Sequence, residues 1–463
     1  MNDYEKFLAA KKVHDPDTGM QLDPAIPDVL FPHQRDIVKW ALRRGRAAVF
    51  AGTGLGKTLI ELTWAANVAA YSGKPVLVFA PLAVSAQHIR EATRFGVDAR
   101  IVRRHADVLP GVNVTNYQKM QHFDMSQFGG VVIDESSILK SVDGHYRSTL
   151  IEKCAAIPFR LAATATPSPN DYMELGNHAE FLGVMSYTDM LATFFMHDGG
   201  DTGMWRLKGH AENVFWKWMA SWAVMMRNPA DLGYPNDGYD LPPLMQNQHI
   251  VGVEYKPSIE TGLMFPMEAR SMSEKAGARR DSIDDRVRMA AEITPPDKPF
   301  VWWCNLNLES EALAKAIPGS VQIRGSDTDE EKERKLMEFS DGKIRVLVTK
   351  ASMTGHGMNW QHCADTGFVG LNDSFEHVFQ AIRRFWRFGQ TKQVNVHFIA
   401  AETEGAVVAN IRRKELDADR MAAAMVMHTQ DFSKLSVRGM VRDTPDYMPT
   451  EIMELPAWMG VAS

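Results

Sequence analysis

Little in this chain points to disulfides, membranes or a globally charged surface. Its three cysteines, Cys154, Cys304 and Cys363, lie far apart in sequence. They form no C-x-x-C pair and no even framework, so the expectation is reduced, mostly buried thiols. No run of eighteen apolar residues occurs, and the opening MNDYEKFLAAKK has no apolar core of signal-peptide length. These absences predict an intracellular, soluble chain without a membrane partner. Positive charge is not in excess either: 51 Lys and Arg face 57 Asp and Glu, a net charge of −6. Any contact with nucleic acid must then come from local patches. What remains is 463 residues with 45% hydrophobic content, enough for two or three domains with substantial cores.

The stretch AGTGLGKT, Ala51 to Thr58, joins a glycine-rich turn to a lysine and a hydroxyl. A strict G-x-x-x-x-G-K-[ST] loop has glycine where Ala51 stands, so the surroundings must support it. RAAVF before it reads as a buried strand, and TLIELTWAANVAAYSG after it reads as a helix stopped by Gly73. In a loop running Gly52, Thr53, Gly54 and Gly56 into a helix, backbone amides face phosphates and Lys57 reaches the β- and γ-oxygens. The Thr58 hydroxyl then ligates Mg²⁺. Strand and helix patterns alternate to about residue 175, which predicts a parallel sheet covered by helices. Within it, GGVVIDESSILKS is an apolar strand ending in Asp134-Glu135, and RLAATATPSPND follows. At the C-terminal edge of the sheet, Asp134 would hold Mg²⁺ through water and Glu135 would polarise the attacking water. Thr164 and Thr166 would bond that acidic pair.

The order AGTGLGKT, VVIDESS, TATP resembles the first motor domain of superfamily 2 helicases, with DESSILKS most like the Swi/Snf-type translocase branch. That resemblance implies ATP and Mg²⁺ as cofactors, with Gln34 of LFPHQRDIV reading the adenine edge. It also requires a second βα domain, and FVWWCNL, ESEALAKAI, SVQIRGS, DEEKERKLMEFSDG and IRVLVTK supply that periodicity. QAIRRFWRFGQ is similar to the family's last helicase motif, which makes Gln380, Arg384 and Arg387 site residues, the two arginines as arginine fingers. Arg383 stands where the family has glycine and could meet phosphate, nucleic acid or an acidic neighbour. TKASMTGHGMNW resembles the segment coupling the ATP site to the strand, with Gly357 and Asn359 at its end; it is about two residues longer than usual, which affects Thr354 and His356. Several of these stretches look like helicases of bacteriophages and prophages, which implies the cytoplasm of a bacterial host.

The expected fold is α/β: two tandem RecA-like domains, parallel sheets covered by helices, with a helical insertion. The first domain spans 1–175, the insertion and crossover 176–250, a linker helix region 251–296, the second domain 297–428, and a strap 429–463. In the insertion, Trp216, Trp218 and Trp222 with Met219, Met225 and Met226 read as one helix, packing on the first domain or stacking on unpaired bases. The resemblance implies movement along DNA, whose backbone would be gripped by Pro81, Ser85, Thr115 and Asn116 on one lobe and Gly325, Ser326, Thr349 and Lys350 on the other. Arg43-Arg44 and Arg103-Arg104 are basic pairs that read equally well as solvated faces. The alternative is a nucleotide-switched module that recruits a phage or host DNA-processing protein, in replication, restriction or methylation, without strand work. A metabolic P-loop kinase is disfavoured because it would not need the second lobe.

Overall fold

Strands buried on both faces dominate the computed structural model of this chain, which describes residues 17–140, 144–168, 171–198, 201–252, 282–351, 353, 358–370, 375–402 and 405–438. The first lobe opens with α1 (Pro32–Arg44), β1 (Arg46–Ala51) and α2 (Lys57–Ser72). Next come β2 (Val76–Ala80), α3 (Leu82–Phe95), β3 (Ala99–Ile101) and β4 (Val112–Asn116). After β5 (Gly130–Asp134), α4 (His145–Cys154) and β6 (Phe159–Thr164) lie α5 (Leu175–Leu182), α6 (Tyr187–Phe194) and a hairpin of β7 (Phe195–Asp198) and β8 (Asp201–Leu207). Then α7 (Glu212–Trp222) runs into β9 (Ala223–Met226).

The first sheet has seven strands in the order β3-β4-β2-β5-β6-β1-β9, and every pair is parallel. All strand ends therefore open on one edge. The register sets Asp134 beside Ala163 and Phe50 beside Thr164, so β6 separates the strand leading into the glycine loop from the strand that ends in Asp134.

The region expected as a helical insertion is more mixed than its composition suggested. Ala223–Met226 is a strand, not the end of a helix, and pairs with β1. A four-residue apolar run after a helix has no periodicity of its own, and only the free edge of the sheet decides its state. Met225 and Met226 thus belong to the first sheet, while Trp216, Trp218, Met219 and Trp222 on α7 are buried in the core beneath it.

The second lobe contains β10 (Leu244–Val251), α8 (Ile283–Ile293), β11 (Phe300–Cys304), α9 (Asn307–Ala316), β12 (Ser320–Gln322) and α10 (Asp329–Ser340). It continues with β13 (Val346–Lys350), β14 (Asp365–Val369), α11 (Phe375–Ile382), β15 (Val394–Ala401) and α12 (Gly405–Val437). Its six strands run β10-β15-β14-β11-β13-β12, again all parallel. Leu244–Val251, expected within the crossover, is an edge strand of this sheet along β15. Its alternating exposure hid it, since a polar edge strand reads like a loop. Helix α8, from the expected linker region, packs into the second lobe through the buried Arg286–Glu309 ion pair at 2.7 Å. Each lobe is thus a parallel sheet covered by helices, as expected.

The helix α12 crosses the boundary at residue 428. His428 stacks on Trp216 at 5.2 Å with 3° between the rings, and Trp40 Nε1 donates to Ser436 Oγ at 2.9 Å. Arg43 donates to the Ser436 carbonyl, while Arg44 is buried and pairs with Asp17. The first basic pair therefore ties α1 to Asp17 and to the end of α12. The proline-bearing tail lies outside the described residues. No helix among the described residues is long and apolar enough to cross a membrane. All three cysteines are free and buried.

Two stability predictions follow from this packing. Trp222→Ala empties a fully buried site in the first-lobe core and should cost about 3–5 kcal/mol, read as a lowered thermal unfolding midpoint. His178 on α5 is also fully buried; burial pushes its pKa down to about 4, against the hydrogen bonds at Glu174 and Ser136. Because the unfolded chain takes up that proton near pH 6.5 and the fold resists it, stability is whole above pH 6.5 and falls as pH drops towards 4. The loss attributable to this group is at most about 3 kcal/mol. Denaturant titrations across that window should show a shallower decline for His178→Gln than for the natural chain; equal slopes would refute the assignment.

Candidate functional site

The glycine loop leaves β1 at its C-terminal end and is tied down from two sides. The Gly52 amide donates to the Met226 carbonyl at 2.9 Å, which couples the loop to β9. Gly56 then enters α2 in the left-handed region, with φ 79°. A β-carbon there would lie 2.2 Å from Gln34 Nε2, so glycine is needed for both reasons. Gln34 is buried against the loop: its Oε1 accepts from the Phe31 amide and its Nε2 donates to the Leu55 carbonyl, both at 3.0 Å. The amide expected to read adenine is thus already oriented by the chain. No side chain caps the first turn of α2, and Lys57 Nζ donates to the Ala51 carbonyl at 2.9 Å. Thr53 on the loop and Thr58 in the first turn of α2 are half-buried.

Across β6, Asp134 and Glu135 close the edge. Glu135 has φ 56°, the only non-glycine residue with positive φ among the described residues. Strain of that kind costs on the order of 1 kcal/mol or more and gathers at functional sites. It aims the carboxylate at Thr164, whose hydroxyl donates to Glu135 Oε2 at 3.3 Å and accepts from the Thr166 amide at 3.1 Å. Behind it, Ser136 Oγ lies 3.0 Å from His178 Nε2. Asp134 is buried, and its surroundings were not foreseen: His88 Nε2 sits 3.6 Å from its Oδ2 and 3.3 Å from Glu61 Oε2. Burial and the neighbouring Glu61 carboxylate raise the Asp134 pKa well above the ordinary range, with His88 opposing. Burial alone would lower that of His88, but Glu61 and Asp134 push it up to about 9. Both shifts have one meaning: this cluster retains a proton. In the sequence, Glu61 is the lone charge in TLIELTW, and that was the available signal.

The second lobe meets this edge through the loop after α11. A β-carbon on Gly54 would lie 2.8 Å from the Phe388 backbone nitrogen. The Phe388 ring packs at 4.6 Å on Tyr239 and at 6.1 Å on Phe31. These aromatics around Gln34 were absent from the sequence reading, because they come from three separate segments. Arg384 is buried between Trp303 and Trp360, each ring centroid 5.3 Å away. Burial lowers its pKa to about 9 while the Glu135 charge opposes, which sets the acidic pair and this arginine within electrostatic reach. Arg387 is lowered to about 10 by burial against the opposing charge of Glu91. Gln380 is half-buried on α11, as is Asn359 ahead of Trp360. Thr354, His356 and Gly357 lie outside the described residues. Arg383 turns to the acidic neighbours: its guanidinium lies 5.0 Å from Phe379 and 4.5 Å from Trp386, under the charges of Asp419 and Glu415.

The expected nucleic-acid contacts divide by exposure. Gly325 and Ser326 are exposed, while Pro81, Asn116 and Lys350 are half-buried at strand ends. Ser85, Thr115 and Thr349 are instead buried, and Ser85 Oγ turns back to the Pro81 carbonyl. The buried hydroxyls of Thr115 and Thr349 have no hydrogen-bond partner among the described residues. Arg103 and Arg104 are exposed and pair with Glu330 and Asp107.

A family model described as an AAA domain matches residues 34–154. The chain is 23% identical, over 93% of its length and 68% of the relative's, to the SWI/SNF-related matrix-associated actin-dependent regulator of chromatin subfamily A-like protein 1 homolog of Caenorhabditis elegans. It is 24% identical, over 80% of its length, to the DNA annealing helicase and endonuclease ZRANB3 of Mus musculus. Over 33% of its length it is 32% identical to protein p41 of Acyrthosiphon pisum secondary endosymbiont phage 1, and it spans 38% of each of these last two relatives. Among solved structures, the Sulfolobus solfataricus SWI2/SNF2 ATPase core in complex with dsDNA aligns over 91% of this chain and 98% of that one, with 15% identity and a TM-score of 0.41. With its motifs in this order and these relatives in sequence, the chain is similar to Swi/Snf-type superfamily 2 helicases.

Proposed function

We propose that this chain is an ATP-dependent DNA translocase or helicase, a nucleic-acid-dependent ATP hydrolase acting on duplex or branched DNA in phage or prophage DNA metabolism. One observation carries the reading: groups from both lobes meet at one sheet edge. The glycine loop and Asp134-Glu135 come from the first lobe, while Phe388 against Gly54 and Arg384 under the Glu135 charge come from the second. The names of the worm and mouse relatives, one SWI/SNF-related and one a DNA annealing helicase, support DNA as the track.

The residues fit a magnesium-bound triphosphate. The uncapped first turn of α2 offers amides to anionic oxygens, and Lys57 rests on a neutral carbonyl from which a phosphate would draw it. Bound ATP supplies the phosphoanhydride bond whose hydrolysis drives the cycle, and Mg²⁺ offsets its charge. In this reading Gly52 to Gly56 cradle the phosphates and Gln34 orients the base. Thr58 and Asp134 hold the ion. Glu135, steadied by Thr164, takes the proton of the attacking water. Arg384 and Arg387 neutralise charge as it grows on the transferred group. Gln380 and the Gly357–Asn359 segment link that event to the second lobe. Because the parts lie on two lobes, cleft closure assembles the site and reopening disperses it. Unequal grips on a phosphate backbone in the two states turn each cycle into a step. The exposed Gly325 and Ser326, with Pro81, Asn116 and Lys350, are the contacts that support such a grip.

Steady-state ATPase measurements with no nucleic acid, single-stranded, duplex and forked DNA, and RNA, each at two salt concentrations, test this reading. Stimulation by duplex or forked DNA is the expected result; a rate indifferent to every nucleic acid would overturn it in favour of the recruiting switch. Lys57→Ala, Glu135→Gln and Arg387→Ala should each lower the stimulated turnover by about 100-fold or more, with the fold intact by circular dichroism.

A further inference from the structure

The segment between β9 and β10 joins the two lobes, and it sets Tyr239 beside the glycine loop. The Tyr239 ring packs on Phe388 of the second lobe at 4.6 Å, with 33° between the planes. Phe31 at 6.2 Å and His33 at 5.7 Å meet it edge-on from the first lobe. These neighbours fix its place. The Phe388 backbone nitrogen would lie 2.8 Å from a β-carbon on Gly54, and the Phe31 amide donates to Gln34, whose own amide donates to the Leu55 carbonyl. Two polar atoms in this group are unmatched. Tyr239 Oη and His33 Nε2 are shielded from solvent, and neither has a hydrogen-bond partner among the described residues. Burial raises the Tyr239 pKa to about 12 and lowers that of His33 to about 4, against a backbone hydrogen bond at Leu55, so both side chains are uncharged at neutral pH.

We propose that Tyr239 is a base-contacting residue of the nucleotide site: its hydroxyl hydrogen-bonds the purine ring of ATP, with His33 Nε2 as a second contact. This rests on the proposed function, which sets the phosphates on the glycine loop and the base at Gln34. Three observations favour it. A buried hydroxyl without a partner costs about 1–3 kcal/mol, a penalty that phenylalanine at the same position would avoid. The two unmatched atoms sit on adjoining rings beside Phe31, which is 46% exposed. An open apolar ring with hydrogen-bonding groups at its rim is the complement of a purine, itself a flat ring edged with nitrogen donors and acceptors. Gln34, finally, cannot fix a base alone. One lone pair of its oxygen and one hydrogen of its nitrogen are already committed to the chain, which leaves half of its bonding capacity.

Equilibrium binding to the full chain tests this without turnover. The probes are the non-hydrolysable analogue AMP-PNP and inorganic tripolyphosphate, each with Mg²⁺, titrated calorimetrically into the natural chain and into Tyr239→Phe, which removes the hydroxyl and keeps the ring. Tyr239→Phe should weaken AMP-PNP binding about fivefold, the loss of one neutral hydrogen bond, and leave tripolyphosphate within about twofold. Its ligand-free thermal unfolding midpoint should equal or exceed that of the natural chain, because an unmatched hydroxyl has gone. Unchanged AMP-PNP affinity would overturn the proposal. An equal loss for tripolyphosphate would also overturn it, since the hydroxyl would then act through the glycine loop and not on the base. A lowered midpoint would do the same, by showing that the hydroxyl is bonded within the fold. If the natural chain binds AMP-PNP but its ATPase ignores nucleic acid, the translocase reading fails and this proposal stands. If it binds AMP-PNP no more tightly than tripolyphosphate, the base contact fails and the phosphate site stands.

Discussion

Parallel pairing throughout both sheets is the constraint on which the rest of this molecule depends. Parallel strands need crossovers, the crossovers cover both faces with helices, and every strand then ends on one edge. Chemistry is concentrated there because only that edge exposes loops over a buried scaffold. The strand order adds a distance: with β6 between β1 and β5, the glycine loop and Asp134 stand about 10 Å apart, room for a phosphate chain and its ion. Thr164 at the end of β6 fills the gap by holding Glu135.

That edge concentrates buried charge, which is costly unless each group is matched. The chain matches them in three ways. Asp134 and Glu61 share His88, Arg384 lies between two tryptophan faces within reach of Glu135, and Arg383 is held over Phe379 and Trp386 beside two acids of α12. Each arrangement fixes a side chain whose free rotation would spoil a site. The strained backbone of Glu135 belongs to the same economy, since it persists only because its neighbours hold it.

Relative motion of the lobes is constrained by what already joins them. Phe388 packs among Phe31 and Tyr239 over the glycine loop, and α12 carries His428 onto Trp216 and Ser436 onto Trp40. The aromatic contact lies beside the glycine loop, and the helix contact lies at the β9 edge of the first sheet.

The sequence by itself marked most strands of the two sheets, because apolar runs such as VLVFA and FVWWC stand between turn residues in an alternating strand and helix pattern. It also determined the glycine loop, the acidic strand end and the arginine pair, because each is contiguous and its spacing is set by local geometry. Other features were decided only by tertiary structure. Ala223–Met226 became a strand because β1 had a free edge, and Leu244–Val251 did so because β15 had one. Ser85, Thr115 and Thr349 turned inward because burial is a property of the whole sheet edge and not of a motif. Glu61 and His88 join Asp134 across 73 and 46 positions of chain, and no periodicity carries information over such a span. Local order is written in neighbours along the chain, whereas the protonation, orientation and coupling of buried groups depend on neighbours through space.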